Sequence, residues 1–277
     1  MSNNILNIDY PIIDCHTHVF PEKIARKAVD SIGEFYGITM TRTGSMTELY
    51  DEARSFGVSK MLITTTATKN DQVRSINDFL YESQNCYEGF FAFGTLYPEM
   101  SQYDMEIEID RMISMGFYGV KLHPDFQRTP ADSDGMKLIA RLVAGRLPVL
   151  IHAGDSRFDF SNPDRIRNLI DSAPSDFTLI AAHLGGFSVW DEAANKLAGY
   201  DNLYVDTCSS LNFLDPERVN ELIDIYGEDK VLFGTDYPMW NYADEFEMIN
   251  RLKLSPVTQK KILYENANSL FFNKKPI

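Results

Sequence analysis

PIIDCHTHVFP, residues 11–21, is a short apolar run that ends in two histidines separated by one residue. On an extended chain Asp14, His16 and His18 point to one side, and Cys15 and Thr17 to the other. Two imidazoles on one side can ligate a single metal ion, with Asp14 placed to support them from below. The remaining histidines repeat the setting: His123 ends FYGVKLH, His152 ends PVLIH and His183 ends FTLIAAH. A further run, VLFGTD, closes on Asp236. All five histidines of the chain therefore fall at strand ends, and histidine is the commonest protein ligand for zinc-like ions.

Outward from this motif, β-branched and aromatic runs predict eight strands: 12–15, 60–65, 90–96, 119–122, 149–152, 178–182, 203–205 and 231–234. Amphipathic segments lie between them. In SNPDRIRNLID, Asn162 is placed to cap, Pro163 suits the first helical position, and Ile166, Leu169 and Ile170 share a face. In LDPERVNELIDIYG, Asp215 and Pro216 start a helix, Val219, Leu222 and Ile223 bury it, and Gly227 suits a left-handed stop. Eightfold strand–helix alternation in 277 residues predicts an α/β fold of the TIM (β/α)8 type, with active-site residues at the C-terminal strand ends. An open doubly wound sheet is the weaker reading, because no GxGxxG or GxxxxGK[ST] phosphate loop is present. Residues 1–277 are expected to form one domain. Within it, residues 22–47 read as an insertion folded over the mouth, and SPVTQKKILYENANSLF (255–271) as two extra C-terminal helices packed outside.

A formal net charge of −14 argues against a nucleic-acid partner and is accounted for by carboxylates on outer helices that keep an enzyme in solution. Cys15, Cys86 and Cys208 are widely spaced and odd in number, which fits a reducing compartment better than a disulfide framework. The N-terminus lacks the pattern of a signal peptide, and no apolar stretch is long enough to cross a bilayer. A cytoplasmic protein acting on a small molecule, with no membrane partner, is expected, and a homodimer is compatible with the sequence.

The order of these motifs resembles the amidohydrolase superfamily: HxH on the first strand, His on the fifth, His on the sixth and Asp on the eighth. IDCHTHVFP, GVKLHP, IHAGD, AAHLGG and FGTDYP are similar, more closely, to the amidohydrolase-related (amidohydrolase 2) family. That family contains metal-dependent hydrolases alongside decarboxylases similar to aminocarboxymuconate-semialdehyde decarboxylase. The resemblance implies a distorted (β/α)8 barrel with one divalent metal held by His16, His18, His152 and Asp236, and with His183 off the metal. Three imidazoles and a carboxylate suit Zn2+ first, with Mn2+ or another first-row ion as alternatives. Asp236 and His183 are then the catalytic pair, the first a ligand that also accepts a proton, the second acting on substrate or leaving group.

Lys121 and His123 alternate on the fourth strand. In binuclear members of the superfamily a carboxylated lysine in the corresponding region bridges two metals, so this pair is a candidate for a second metal or for the pocket. A lysine paired with a carboxylate and a histidine hydrogen-bonded at a strand end are the plainer readings. Arg157 and Arg128, each five residues past a strand-end histidine, are candidates for binding an anionic substrate. Trp190 and Trp240 either wall the pocket or belong to the next helices. Specificity is expected in the loops 20–47, 125–133, 154–162 and 186–191.

The first functional expectation is a metal-dependent hydrolase that acts on a small, carboxylate-bearing substrate through a metal-activated water. The alternative is a non-oxidative, metal-dependent decarboxylase of an aromatic or unsaturated acid, which would use the same residues. An inactive barrel retained as a binding module fits less well, since such a relic should have lost a ligand and this chain keeps all five residues.

Overall fold

The computed structural model describes residues 5–273. Its strands are β1 (Ile12–His18), β2 (Val58–Thr64), β3 (Phe90–Thr95), β4 (Gly119–Leu122), β5 (Val149–Ile151), β6 (Leu179–Ala181), β7 (Leu203–Asp206) and β8 (Val231–Leu232). They form one sheet in sequential order, with helices between them, which is a distorted (β/α)8 barrel. β1 runs three residues further than its apolar run indicates, so His16 and His18 lie within the strand rather than beyond it. No helix of the described residues is long and apolar enough to cross a membrane.

The chain divides into two compact units. Of the described residues, the first comprises 5–63, 83–91 and 207–273. In it the chain past β8 pairs along β1: Cys15 N–H donates to the Phe233 carbonyl (2.8 Å), Asp236 N–H to that of His16 (2.8 Å), and His18 N–H to that of Tyr237 (2.7 Å). These bonds bring the β1 histidines beside Asp236. The 22–47 stretch is largely helical, with a helix at Glu22–Tyr36 that buries Ala25, Val29 and Gly33. Phe20, Ala25, Val29 and Met40 pack with Met239, three residues past Asp236. Gly44 has φ +75, and a Cβ there would lie 2.8 Å from Val29 and 2.9 Å from Phe20, so glycine is required for the chain to close onto this helix. The C-terminal segment is one helical run rather than two helices on the outside: Pro256–Lys260, a π turn at Lys261–Glu265, then Asn266–Phe271. It is built into the unit, because the Ile262 carbonyl accepts Phe233 N–H (3.0 Å) and Asn266 bonds the Glu228 and Val231 carbonyls.

The second unit comprises residues 64–82 and 92–206. Its sheet is parallel in continuous register, with Phe93 opposite Gly119, Val120 opposite Val149, Val149 opposite Leu179 and Leu179 opposite Leu203. Strands buried on both faces are apolar throughout, as parallel strands under helices must be. The helix Pro163–Ser172 starts as its sequence indicates, with the Asn162 side chain accepting from Arg165 N–H. The helix Pro216–Tyr226, in the first unit, departs from expectation. Asp215 makes no side-chain cap bond. Gly227 adopts φ 89, ψ 133, a positive-φ conformation outside the left-handed helical region, and leads the chain into Glu228–Lys230 instead of making a left-handed stop.

Candidate metal centre and active site

In the first unit His16 Nε2 and His18 Nε2 lie 3.2 Å apart. Asp236 Oδ1 is 3.6 Å from the former and 3.2 Å from the latter. Donors about 2.1 Å from one tetrahedral or octahedral ion are separated by roughly 3.0–3.4 Å; two of the three separations, both 3.2 Å, fall in that range, and the third, 3.6 Å, lies just beyond it. Two neutral nitrogens and a carboxylate suit Zn2+, Mn2+ or a similar first-row ion. The other nitrogen of His16, Nδ1, is 3.0 Å from Cys208 Sγ, which fixes the ring with Nε2 outward. Asp14 supports the backbone rather than a ring. It accepts from His16 N–H (3.0 Å), Thr235 N–H (3.2 Å), Thr235 Oγ1 (2.6 Å) and Tyr242 Oη (2.8 Å). Burial pushes its carboxyl up to about 7, against the pull of those four donors.

In the second unit His152 Nδ1 is 2.9 Å from His183 Nε2. On its far side His152 Nε2 faces Asp125 Oδ2 at 3.6 Å. Asp125 in turn meets Ser161 Oγ at 2.5 Å, and that hydroxyl also reaches the Gly154 carbonyl. Burial raises the Asp125 carboxyl to about 6; the Ser161 bond opposes this and the Asp155 charge adds to it. Asp125 therefore stands beside the His152 ring at more than hydrogen-bond distance, and the short contact of that ring is the one from Nδ1 to His183. His183 stands on an unusual turn in which it, Leu184 and Gly185 all have positive φ (61°, 48° and 82°). Asp206, fully buried, holds that turn: its Oδ1 accepts His183 N–H (2.8 Å) and its carbonyl accepts Leu184 N–H (2.7 Å).

His123 is sandwiched between Phe126 (3.8 Å, 8°) and His152 (4.0 Å, 6°). Its Nδ1 accepts Phe126 N–H (3.3 Å), which puts the ring proton on Nε2. Lone pairs of parallel imidazoles 4.0 Å apart do not converge, so His123 and His152, although close to Asp125, have no common point for an ion. His123 is a stacking and hydrogen-bonding group in this arrangement. Lys121 is buried on β4, in register with Thr95 and Leu150. Arg157 is bound to Asp155 through Nε (2.9 Å) and Nη2 (2.6 Å). Arg128 is exposed at the left-handed end of the short helix Pro124–Gln127. Trp190 meets Phe187 edge-on, which itself meets His183, and Trp240 donates to Ser209 Oγ (2.9 Å).

Sequence reading passed over Asp125, Ser161, Asp206, Cys208 and Ser209. Asp206 had a signal, since it closes the apolar run LYVD as Asp236 closes VLFGTD. The others had none: an aspartate, serine or cysteine is ordinary until the fold sets it beside a ring or a carboxylate.

The amidohydrolase family model matches residues 13–272, and the chain belongs to that family. It is 27% identical over 202 residues to gamma-resorcylate decarboxylase from Polaromonas sp., a match spanning 64% of this chain and 56% of that relative's length. Among solved structures, an uncharacterized TIM-barrel protein from Bordetella bronchiseptica superposes with TM-score 0.78 at 18% identity, covering 94% of this chain and 98% of that one. The 5-carboxyvanillate decarboxylase of Novosphingobium aromaticivorans, in complex with manganese and 4-hydroxy-3-methoxy-5-nitrobenzoic acid, superposes with TM-score 0.72 at 18% identity, covering 95% and 96%. These likenesses agree with the fold. The chain is therefore an amidohydrolase-family barrel in which His16, His18 and Asp236 are grouped closely enough to hold a metal ion.

Proposed function

We propose that the protein is a non-oxidative decarboxylase of a small aromatic carboxylic acid, with His16, His18, His152 and Asp236 as ligands of one divalent ion. The sequence alone favours hydrolysis; the flat stack Phe126–His123–His152, with His183 at right angles to His152 and Phe187 at right angles to His183, favours the decarboxylase alternative. A face of parallel rings fits an aromatic plane better than a tetrahedral acyl centre. The names of the curated and structural relatives point the same way. Manganese in one of those relatives makes Mn2+ as strong a candidate as Zn2+.

A bound ion would supply positive charge to hold the substrate carboxylate and a neighbouring ring oxygen. The protein's residues must then deliver a proton to the ring carbon that bears the carboxylate. Once that carbon is protonated the bond to the carboxylate breaks, its electron pair restores the aromatic ring, and CO2 leaves. A ring hydroxyl ortho or para to the site stabilises the protonated ring, so hydroxylated acids are the substrate class of choice. His183 and Asp236 are the groups assigned to hold and transfer that proton. The Nε2–H of His123 is suited to a substrate oxygen.

The test is a screen of hydroxylated benzoates and of lactones, esters and amides with Mn2+- and Zn2+-loaded enzyme in isotopic water. Decarboxylation releases CO2 and leaves one solvent deuterium on the ring. Solvent 18O appearing in a new carboxylic product would establish the hydrolase instead. His183→Asn should lower turnover by roughly 100- to 10,000-fold while metal content stays stoichiometric; loss of metal would make His183 a ligand.

A further inference from the structure

Beyond the four assigned ligands, one chain of hydrogen bonds ends on Asp236. Ser209 Oγ donates to Asp236 Oδ2 at 2.7 Å, and Trp240 Nε1 donates to Ser209 Oγ at 2.9 Å. An indole N–H can only donate, so Ser209 Oγ must accept from it, and the hydroxyl proton is free to go elsewhere. Its two acceptors are the Asp236 carboxylate and Met239 Sδ at 3.5 Å, and the charged oxygen is much the stronger. Ser209 is buried, and both Ser209 and Asp236 have left-handed backbones, with φ 52 and 58. Non-glycine residues keep that conformation where their surroundings hold it. The other carboxylate oxygen, Oδ1, is the one facing His16 and His18.

We propose that Ser209 and Trp240 are positioning residues for Asp236, tethering Oδ2 so that Oδ1 alone is presented as a metal ligand. The indole acts through the hydroxyl: it occupies a serine lone pair and so directs the serine proton at the carboxylate. The proposal rests on the reading of His16, His18 and Asp236 as ligands of one ion.

Mn2+ titration of metal-stripped, full-length protein, read by the electron paramagnetic resonance of free Mn2+, tests the relay. Ser209→Gly removes the hydroxyl while suiting the positive φ, so the backbone is left at ease. It should weaken Mn2+ binding by roughly 10- to 100-fold. Trp240→Phe should cost less, about 3- to 10-fold on the same scale. In the Ser209→Gly background Trp240→Phe should cost nothing further. Wild-type affinity in Ser209→Gly, or losses that multiply in the double variant, would overturn the relay. A merely structural role would lower the melting temperature of each variant and leave the Mn2+ affinity of the folded protein unchanged. Asp236→Asn keeps the two ideas apart. If it binds Mn2+ like wild type, the ligand reading falls and the relay with it; if it loses binding while Ser209→Gly retains it, only the relay falls.

Discussion

Glu245 is a carboxyl group shut away from water, with no exposed surface and Asn212 Nδ2 donating to its Oε1 at 2.8 Å. Burial drives its pKa well above the usual carboxylate range, and the charges of Asp14, Asp236 and Asp244 push the same way. In the unfolded chain it ionises near 4.5. The folded state therefore holds its proton more tightly, and its contribution to stability is complete below that value and lost as pH rises toward the folded pKa. Glu245→Gln, neutral at every pH, should melt higher than wild type at pH 8, by at least about 2 °C if roughly 1 kcal/mol is recovered. The gain should shrink at pH 4. A difference that does not depend on pH would show that Glu245 titrates normally. In the sequence Glu245 is one of several acids in a helix and reads as a solvated charge, whereas His16 and His18 are conspicuous at once. What differs is locality: two histidines on one strand meet through backbone geometry, while the environment of Glu245 is assembled from distant segments.

At the scale of elements, strand order and helix starts were legible because each is written in adjacent residues. Asn162-Pro163 announces a helix, and the helix is there. Turn geometry is less legible, since it depends on what the turn approaches. Gly154 shows this: it has φ +81, and a Cβ would lie 2.4 Å from Phe187 N and 2.5 Å from the Gly186 carbonyl carbon. Its N–H donates to the Ser161 carbonyl (2.7 Å), and its own carbonyl meets the Ser161 hydroxyl that contacts Asp125. Gly154→Ala should therefore cost well over about 1 kcal/mol in a urea melt and disturb the surroundings of His152. Gly199→Ala is the control, because Gly199 has φ +92 but open space around the missing side chain. Equal destabilisation of the two variants would mean that backbone strain, and not close approach, explains Gly154. Backbone of the loop after β6 fills the space beside Gly154.

For the molecule as a whole, a charge of −14 repels an anionic substrate, so a carboxylate ligand needs a local reversal of sign. A bound divalent ion supplies one. An ion that binds only the folded chain also stabilises it: at a free concentration 100 times its Kd the gain is about 2.7 kcal/mol, or roughly 5–10 °C for a chain of this size. Chelator-stripped protein should melt lower by that amount, and titration with Mn2+ and Zn2+ should restore it. The ion giving the larger shift at equal concentration is the tighter ligand. Indistinguishable melts with and without saturating metal would sink the metal-centred reading.

The amino-acid sequence by itself determined the eight strands, their alternation with helices and the residues that close them, because hydrophobic periodicity and strand-end chemistry are properties of neighbouring residues. It also carried the family, through five short motifs in a set order. Only the tertiary structure decided what surrounds those residues: that Cys208 and not Asp14 meets the His16 ring, that Asp125 stands beside His152, that Asp206 holds the turn under His183, and that Ser209 tethers Asp236. Each of these contacts joins segments brought together by folding, where burial and low dielectric strengthen polar contacts. The strand-end residues serve hydrolysis and decarboxylation alike, and the proposal of an aromatic acid rests on a stack of flat rings, which is itself a tertiary feature.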